Sequence, residues 1–275
     1  MISFPNCKIN LGLNIVEKRK DGFHNIESIF YPVQLCDILE MVEMENVGTE
    51  FTSTGIPVPG GAKDNLCVRA YNLMKKPHDL GGIKIHLHKI IPIGAGLGGG
   101  SADAAFFLKM LNEKFGLWMP WDEVHAYANK LGSDCSFFIS NKPSFVFGRG
   151  DEFENIDLGL SGYHVVLVYP NIHVDTSKAY SGIAPKKSSS NLREDIFLPV
   201  KEWKNKIKND FEETIFIKHP EIKALKEKLY SFGAIYSSMS GSGSTVYGIF
   251  NPDSHRDKTD FKKEFPSYFV WEGNL

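Results

Sequence analysis

The chain of 275 residues has room for one large domain or two ordinary ones, and its 42% hydrophobic and 23% charged residues are typical of a globular protein. A formal net charge of −2 argues against a general nucleic-acid-binding protein. The four cysteines form no CxxC pair, which argues against a structural zinc site and a disulfide framework and fits a reducing compartment. We find neither a secretory signal pattern nor an apolar run near the roughly 18 residues of a membrane span, and therefore predict a cytoplasmic protein without a membrane partner.

The first half of the chain mixes strand and helix patterns. Residues 8–16 alternate between apolar and polar side chains, which predicts a half-buried strand. Asp21-Gly22 predicts a hairpin turn, and residues 25–44 predict one or two further strands. The remaining predicted elements are a helix starting near Asp64, a strand over 82–90, a buried helix over 101–115 and a helix over 121–131 that ends at Gly132.

The second half starts again with an apolar strand. The predicted elements are a strand over 163–170, a polar loop over 185–191, an amphipathic helix over 220–232, two strands around a Gly-Ser turn within 234–250, and a last helix and edge strand within 254–273. Strands and helices in both halves predict an α+β protein. We place the boundary between two domains, 1–155 and 156–275, near the middle of the chain.

A glycine-rich stretch follows the strand over 82–90. In "PIGAGLGGGSADAA", five of the seven positions from 94 to 100 are glycine, although each glycine costs conformational entropy. They are Gly94, Gly96, Gly98, Gly99 and Gly100. A strand, a glycine-rich turn and a buried helix together predict a phosphate site, because the first N–H groups of a helix have no internal partner. The P-loop pattern is excluded, since no Lys follows Gly100, and the Rossmann pattern is a weak signal here.

Simpler structural explanations compete at each position. The glycines could serve only a tight turn, Lys8 could be a solvated strand lysine, and Asp134 could be a helix N-cap. The "SGSGS" segment over 240–244 could be only a hairpin turn. Asp103 lies in the first turn of the predicted helix, where it would repel a phosphate. Either it points away or a divalent cation offsets its charge.

Three motifs in order resemble those of the GHMP kinases: "PNCKINLGL", the glycine stretch and "MSGSGSTVYGIF". The marks "DGFHNIES", "DNLCVRA" and "GSDCSFF" resemble the branch of that superfamily whose substrate is a cytidine diphosphate conjugate of methylerythritol, on the non-mevalonate route to isoprenoids. The resemblance implies the two-domain GHMP kinase fold, with a left-handed βαβ unit in an N-terminal domain and a ferredoxin-like C-terminal domain. It also implies transfer of the γ-phosphoryl group of ATP to the 2-hydroxyl of the methylerythritol unit.

The resemblance assigns roles to single residues. Asp134 matches the catalytic aspartate, a general base for the alcohol, and Lys8 matches the lysine that keeps this aspartate ionised. The residues implied for ATP are Asn65, Lys89, Pro92, Gly94, Gly96, Leu97, Gly98, Gly99, Gly100 and Ser101, with Asn65 and Lys89 near the adenine. Mg²⁺ is the implied metal, with Ser101 and the bound phosphates as its expected partners and no firm protein ligand.

The substrate residues come from the same resemblance. Phe23 and His24 match an aromatic-His pair that holds the cytosine, Tyr180 is a second stacking face, and Asn10 and Gly241 contact the substrate. Phe23 stands where relatives often have Tyr, which removes a hydroxyl group and keeps the ring. Two alternatives remain open: a GHMP kinase for another small alcohol, and a nucleotide-binding relative that catalyses no reaction.

Overall fold

The computed structural model describes residues 1–46, 48–183, 185, 191–252 and 259–275. These residues form two compact units that interleave along the chain. Unit 1 comprises Met1–Cys7, Leu35–Ile93 and Gly98–Lys142, and unit 2 comprises Lys8–Gln34, Gly94–Leu97 and Pro143–Leu275. The predicted domain boundary after residue 155 stays a prediction.

Unit 1 contains a four-stranded sheet in the order β1-β4-β6-β5. Its strands are β1 (Ile2–Ser3), β4 (Ile38–Met44), β5 (Thr49–Gly55) and β6 (Gly82–Lys89). β4 runs antiparallel to β6, whereas β5 is parallel to β6, so the chain must cross over between them. The helix α1 lies in this crossover, which makes β5-α1-β6 a βαβ unit.

The first three α-helices of unit 1 follow the predictions closely, whereas the last one along the chain was not predicted. These α-helices are α1 (Leu66–Lys75), α2 (Gly99–Lys114), α3 (Trp121–Leu131) and α4 (Cys135–Ser140). The Asn65 side chain caps α1, α3 ends at Gly132 as predicted, and α2 begins two residues before its predicted start. The first ten residues of α2 are mostly buried, because apolar side chains surround that part of the helix.

Unit 2 contains two further four-stranded sheets. The first, in the order β2-β3-β7-β8, consists of β2 (Asn6–Lys18), β3 (His24–Cys36), β7 (Ser144–Phe147) and β8 (Glu152–Asn155). The predicted Asp21-Gly22 turn joins β2 to β3, with the N–H of Arg19 bonded to the carbonyl of Phe23. The prediction of a half-buried β2 is wrong, because residues 6–15 are buried on both faces.

The second sheet of unit 2 is antiparallel throughout, in the order β10-β11-β9-β12. Its strands are β9 (His164–Tyr169), β10 (Tyr236–Met239), β11 (Val246–Phe250) and β12 (Phe269–Asn274), with β12 at the edge as predicted. The helices of this unit are α5 (Thr176–Ser181), α6 (Leu192–Asp195), α7 (Trp203–Lys206), α8 (Phe211–Lys218), α9 (Pro220–Ser231) and α10 (Phe261–Glu264).

Some predicted segments lie outside the described residues. Of the polar loop predicted for 185–191, the structure describes only Pro185 and Asn191, and the predicted last helix over 254–265 is described from residue 259 onward. Within the described part of the chain, no helix combines the length and the apolar composition that a membrane span needs.

Candidate active site

The fold itself requires several of the clustered glycines. Gly94, Gly96 and Gly98 have φ angles of +66°, +80° and +71°, which other residues rarely adopt. At Gly96 a Cβ atom would also lie 2.0 Å from the carbonyl oxygen of Ser240, and at Gly99 it would lie 2.8 Å from Cγ2 of Ile91. Turn geometry and close packing therefore explain these four glycines.

Gly100 is different, because none of the residues that the structure describes requires a glycine there. Its φ is not in the left-handed region, and a Cβ atom would meet only Cδ1 of Leu66, at 4.0 Å. Gly100 is exposed in the first turn of α2, where the first intrahelical bond runs from the N–H of Ala102 to the carbonyl of Gly98. The N–H groups of residues 99–101 therefore precede the helical hydrogen bonds and remain for an anion.

A buried ion triad lies beside this first turn. The Lys89 ammonium, on a side chain that is 3% exposed, lies 2.5 Å from Oδ2 of Asp37 and 2.7 Å from Oδ2 of Asp103. Oδ1 of Asp37 also accepts the N–H groups of Ile90 and Ile91, just before the glycine stretch. The position of Asp103 in the first turn of α2 is therefore compatible with a nearby phosphate, because the Asp103 carboxylate pairs with Lys89 inside the protein.

The triad shifts the proton affinity of its members. Burial raises the pKa of Asp103 to about 7, with Lys89 opposing the shift and Asp37 adding to it. Burial disfavours the Lys89 ammonium, but the two carboxylates outweigh burial and raise its pKa. The ammonium lies 3.0 Å from the position of a Cβ atom on Gly99, so it packs directly under the start of α2.

Asp134 lies at the N-cap position of α4, which is the position that the purely structural explanation of this residue predicted. Its side chain makes no capping hydrogen bond to α4 and is half-buried. The next residue, Cys135, is buried, which raises the pKa of its thiol to about 12 against the lowering effect of a hydrogen bond with Ser101. Helices α2 and α4 pack against each other within unit 1, so the residue next to Asp134 lies on the helix beside the one that begins at the predicted phosphate site.

Lys8 in unit 2 is a buried cation and not a solvated strand lysine. Its side chain is 3% exposed, and its ammonium donates to Oδ1 of Asn10 at 2.5 Å and to the carbonyl of Gly96 at 3.2 Å. It also lies 4.4 Å from the centre of the Phe30 ring. The N–H of Lys8 donates to the carbonyl of Leu97, so β2 is bonded directly to the glycine stretch.

The Gly-Ser turn joins the same cluster in unit 2. The Ser240 hydroxyl donates to the carbonyl of Gly96 at 2.8 Å and accepts the N–H of Asn10 at 3.2 Å. A Cβ atom on Gly241 would lie 3.4 Å from Oδ1 of Asn10 and 3.4 Å from the carbonyl oxygen of Gly96. The three motifs therefore meet here, although "SGSGS" is also the hairpin turn between β10 and β11.

His24 and Tyr180 form a stacked pair in unit 2. Their ring centres are 5.2 Å apart with an interplanar angle of 19°. His24 is 9% exposed, and its Nε2 is a buried atom without a hydrogen-bond partner among the described residues. Burial, followed by the charge of Lys18, lowers the pKa of His24. Phe23 is mostly exposed at the hairpin turn, with the guanidinium of Arg149 5.3 Å from its ring centre.

Sequence reasoning missed three polar residues of these clusters. Ser28 accepts Nδ2 of Asn10 and donates to the carbonyl of Gly12, Asp37 belongs to the triad, and Ser240 holds Gly96. Ser28 and Ser240 stood in quoted motifs, "DGFHNIES" and "MSGSGSTVYGIF", that could have pointed to them, whereas Asp37 stood in none. Of the other predicted ATP residues, Pro92 and Leu97 are buried, and Asn65 accepts the N–H of Cys67 as the cap of α1.

Comparison with family models gives two matches. Residues 65–149 match the model described as GHMP kinases N terminal domain, and residues 198–264 match the model described as GHMP kinases C terminal. A protein of Parabacteroides distasonis named 4-diphosphocytidyl-2-C-methyl-D-erythritol kinase is 50% identical over 277 aligned residues, which cover 100% of both chains.

Solved structures give the same fold. A crystal structure of 4-(cytidine 5'-diphospho)-2C-methyl-D-erythritol kinase matches with a TM-score of 0.86 and 28% identity, covering 100% of this chain and 99% of the other. The Methanococcus jannaschii mevalonate kinase matches with a TM-score of 0.76 and 14% identity, covering 100% and 98%. These matches confirm the predicted α+β fold of two GHMP kinase domains.

Proposed function

Because the chain belongs to the GHMP kinases, as a member of the 4-diphosphocytidyl-2-C-methyl-D-erythritol kinase family, we propose that it phosphorylates the 2-hydroxyl of that cytidyl compound. As a member it is an ATP-dependent small-molecule kinase. One observation carries the assignment of its chemistry. The first turn of α2 has N–H groups outside the helical hydrogen bonds and an unobstructed Gly100, and α2 packs against α4, whose N-cap residue is Asp134.

The N–H groups of residues 99–101 are the proposed anchor for the ATP phosphates. They lie at the positive end of α2, and Gly100 leaves space for oxygens to approach the backbone. Gly94, Gly96, Leu97 and Gly98 shape the turn before the helix. Asn65, at the start of α1, keeps its proposed place near the adenine. The expected adenine contact of Lys89 is not kept, because its ammonium is buried between Asp37 and Asp103 beneath the start of α2.

Mg²⁺ fits this arrangement as a partner of the phosphates. Among the described residues, no three His, Cys, Asp or Glu side chains form a group that would hold a metal ion, and Asp103 is already paired with Lys89. Mg²⁺ commonly binds through substrate phosphates and water with few protein ligands, so the Ser101 hydroxyl is a sufficient protein partner. When bound, the ion supplies positive charge against the triphosphate.

Asp134 is the proposed general base. Its carboxylate makes no capping bond to α4, so accepting the proton of the substrate hydroxyl would not cost the helix its cap. Lys8 is proposed to supply positive charge where negative charge develops on the attacking oxygen. The bonds of its ammonium to Asn10 and Gly96 hold that charge in a fixed place, which is the condition for electrostatic catalysis.

His24, Tyr180 and Phe23 are proposed to hold the cytosine. The unpartnered Nε2 of His24 is a buried polar atom that costs free energy until a ligand satisfies it. A cytosine edge offers both donors and acceptors, and aromatic rings beside it provide a stacking surface. Asn10 and Gly241 complete the proposed substrate contacts.

A substrate panel tests the proposal. The purified chain is incubated with ATP, Mg²⁺ and one alcohol at a time. The four alcohols are the cytidyl compound, the same sugar phosphate without the cytidine group, homoserine and mevalonate. We expect rapid ADP release with the cytidyl compound and at least ~100-fold lower kcat/KM with the others. Preference for another alcohol would indicate a different GHMP kinase, and nucleotide binding without turnover on any alcohol would indicate a relative that catalyses no reaction.

A further inference from the structure

A second concave site lies in unit 1, on the C-terminal half of α2. It is a cavity of about 660 Å³, a volume typical of small-molecule sites. Its lining comes from three parts of unit 1: the N-terminal strand, the second half of α2, and the segment that joins α2 to α3. The proposed nucleotide site uses the opposite end of α2, so this cavity has no role in the proposed function.

The wall formed by the α2–α3 segment is fixed in place. The Asn112 side chain accepts the N–H of Met119 at 3.0 Å and donates to the carbonyl of Met119 at 3.4 Å. The N–H of Leu117 donates to the carbonyl of Asn112. These three bonds hold residues 117–119 against α2, so the cavity is preformed.

Large apolar side chains face this cavity and solvent together. Trp118 is 90% exposed and Trp121 is 59% exposed, and both line the cavity with Phe106 and Met110. Trp118 also has a φ of +52°, a backbone conformation that is unfavourable for a bulky residue. Exposing two tryptophans beside a cavity is costly, and such surfaces mark binding sites.

The lining cation Lys109 has no matching anion. The half-buried Lys109 ammonium donates to the carbonyl of Phe138 at 3.0 Å and lies 3.8 Å from the centre of the Phe106 ring. Within the described parts of the chain it forms no ion pair, and burial lowers its pKa to about 8. The acidic residue of the lining, Glu113, is exposed and is not within ion-pair distance. An ammonium has three N–H groups, so two remain for an anion.

We propose that this cavity binds a monocarboxylate with an apolar tail, its carboxylate on the Lys109 ammonium and its tail against Phe106, Met110 and Trp121. The Lys109 ammonium matches one carboxylate. The other cation of the lining, the Met1 ammonium, donates to the carbonyl of Met41 at 2.9 Å. The rest of the lining is largely apolar and suits a tail better than a second charged group. The aromatic and methionine side chains suit a flexible alkyl chain.

Calorimetric titration of the full chain tests this proposal with three probes: octanoate, 1-octanol and octylammonium. We expect saturable 1:1 binding of octanoate, at least ~10-fold tighter than 1-octanol, because a hydrogen bond to a charged group is stronger than one to a neutral group. Octylammonium should bind most weakly. The proposal would be overturned if the natural chain showed no saturable octanoate binding, or bound octanoate and 1-octanol with equal affinity.

Two variants locate the site. Lys109→Met keeps an unbranched side chain and should reduce octanoate affinity to that of 1-octanol. Lys114→Met, on the same helix and outside the cavity lining, should leave octanoate affinity unchanged. Unchanged octanoate affinity in Lys109→Met would refute the site. A sedimentation experiment would also refute it if the chain forms a dimer that Trp118→Ala dissociates but octanoate does not. The readout is binding, so it is independent of kinase turnover.

Discussion

Asp134 is an aspartate at a helix N-terminus that does not cap the helix. Aspartate is common at this position because its side chain accepts a backbone N–H of the first turn. The Asp134 side chain makes no such bond to α4, and it follows Gly132, which ends α3. Local helix stability therefore does not explain the aspartate, which favours a role in chemistry.

Replacing Asp134 by Asn should remove the base and leave the fold intact. We expect Asp134→Asn to lower kcat at least ~100-fold, because an amide does not accept the proton of the alcohol. The free energy of unfolding should change little, since no capping bond is lost. Steady-state kinetics and urea denaturation measure the two effects. Asp122→Asn, at an exposed position of α3, is the control, and a kcat of Asp134→Asn near that of the control would remove Asp134 from the mechanism.

His24 should affect one substrate and not the other. We expect His24→Ala to raise KM for the cytidyl compound about 10-fold, because the ring that would bond the cytosine is lost. KM for ATP should stay nearly unchanged. Initial rates with each substrate varied in turn separate the two constants, with the half-buried His219→Ala as the control. Equal increases in both KM values would show that His24 does not serve the cytidyl compound.

Among the elements, the turn from β6 into α2 contains glycines that the fold requires and one, Gly100, that is proposed to serve phosphate binding. We expect Gly100→Ala to raise KM for ATP at least ~10-fold, because a methyl group would occupy the phosphate approach. Its free energy of unfolding should stay the same or rise by up to about 1 kcal/mol, since alanine favours the helix. Gly96→Ala should instead destabilise the fold, because its Cβ would meet the backbone of Ser240. Thermal melts and ATP kinetics on both variants distinguish these cases.

A matched variant gives the glycine experiment its control. At Gly159 a Cβ atom would meet no atom of the described part of the chain within 4 Å, apart from the adjacent residues, and its φ is not in the left-handed region. Gly159→Ala should therefore change neither stability nor KM for ATP. If Gly100→Ala behaved like Gly159→Ala, the first turn of α2 would not be a phosphate site.

The ion triad of β6 and α2 should make stability depend on pH. Its Asp103 has a folded-state pKa of about 7, above the ordinary value of 3.8, so the folded protein binds more protons than the unfolded chain between these values. This stabilisation is complete below pH 3.8 and is lost as pH rises through about 7. The free energy of unfolding of the natural chain relative to Asp103→Asn should therefore fall by about 3 kcal/mol between pH 5 and pH 8.

Urea denaturation at several pH values measures this difference. Asp260→Asn is the control. A hydrogen bond with Lys263 is the largest cause of the lowered pKa of the exposed Asp260 carboxyl, so this carboxyl titrates below the pH window of the experiment. A difference between the natural chain and Asp103→Asn that stays flat from pH 5 to pH 8 would show that Asp103 is ionised throughout.

At the scale of the whole molecule, unit 2 is assembled from distant parts of the chain. Leu13, Ile15 and Ile26 belong to one buried cluster with Val166 and Phe211. The N–H of Leu13 bonds the carbonyl of Lys208, and the N–H of Asp210 bonds the carbonyl of Leu13. The second half of the chain therefore lacks part of its own core.

A fragment of residues 156–275 should not fold cooperatively by itself. Without β2 and β3 its apolar side chains lose the packing of Leu13, Ile15 and Ile26, and burial is the main favourable contribution to folding. Circular dichroism during urea titration would show a gradual transition for this fragment. A mixture with the fragment 1–155 should restore a sharp one. A sharp transition of the isolated fragment at the midpoint of the full chain would contradict this.

Local patterns in the sequence predict most elements but not their partners. The alternation in residues 8–16 correctly predicted a strand, whereas the burial of its polar face depends on Ser28 and Ser240, which no local pattern connects to Asn10. The same holds for Asp37, whose partner Lys89 lies 52 residues away. The glycine stretch indicated a phosphate site by composition alone, but only the packing shows that Gly100 differs from its neighbours.

The helix α2 brings several features of unit 1 onto one rigid body. Its 16 residues span about 24 Å at 1.5 Å per residue, with the unused N–H groups at one end and Lys109 in the other half. An inhibitor designed for the cavity on the C-terminal half of α2 would not have to resemble a nucleotide. It would therefore avoid the nucleotide sites that many other enzymes share. Its contacts would be with Trp118, Trp121 and Lys109, and it would still lie against the helix at whose other end the ATP phosphates are proposed to bind.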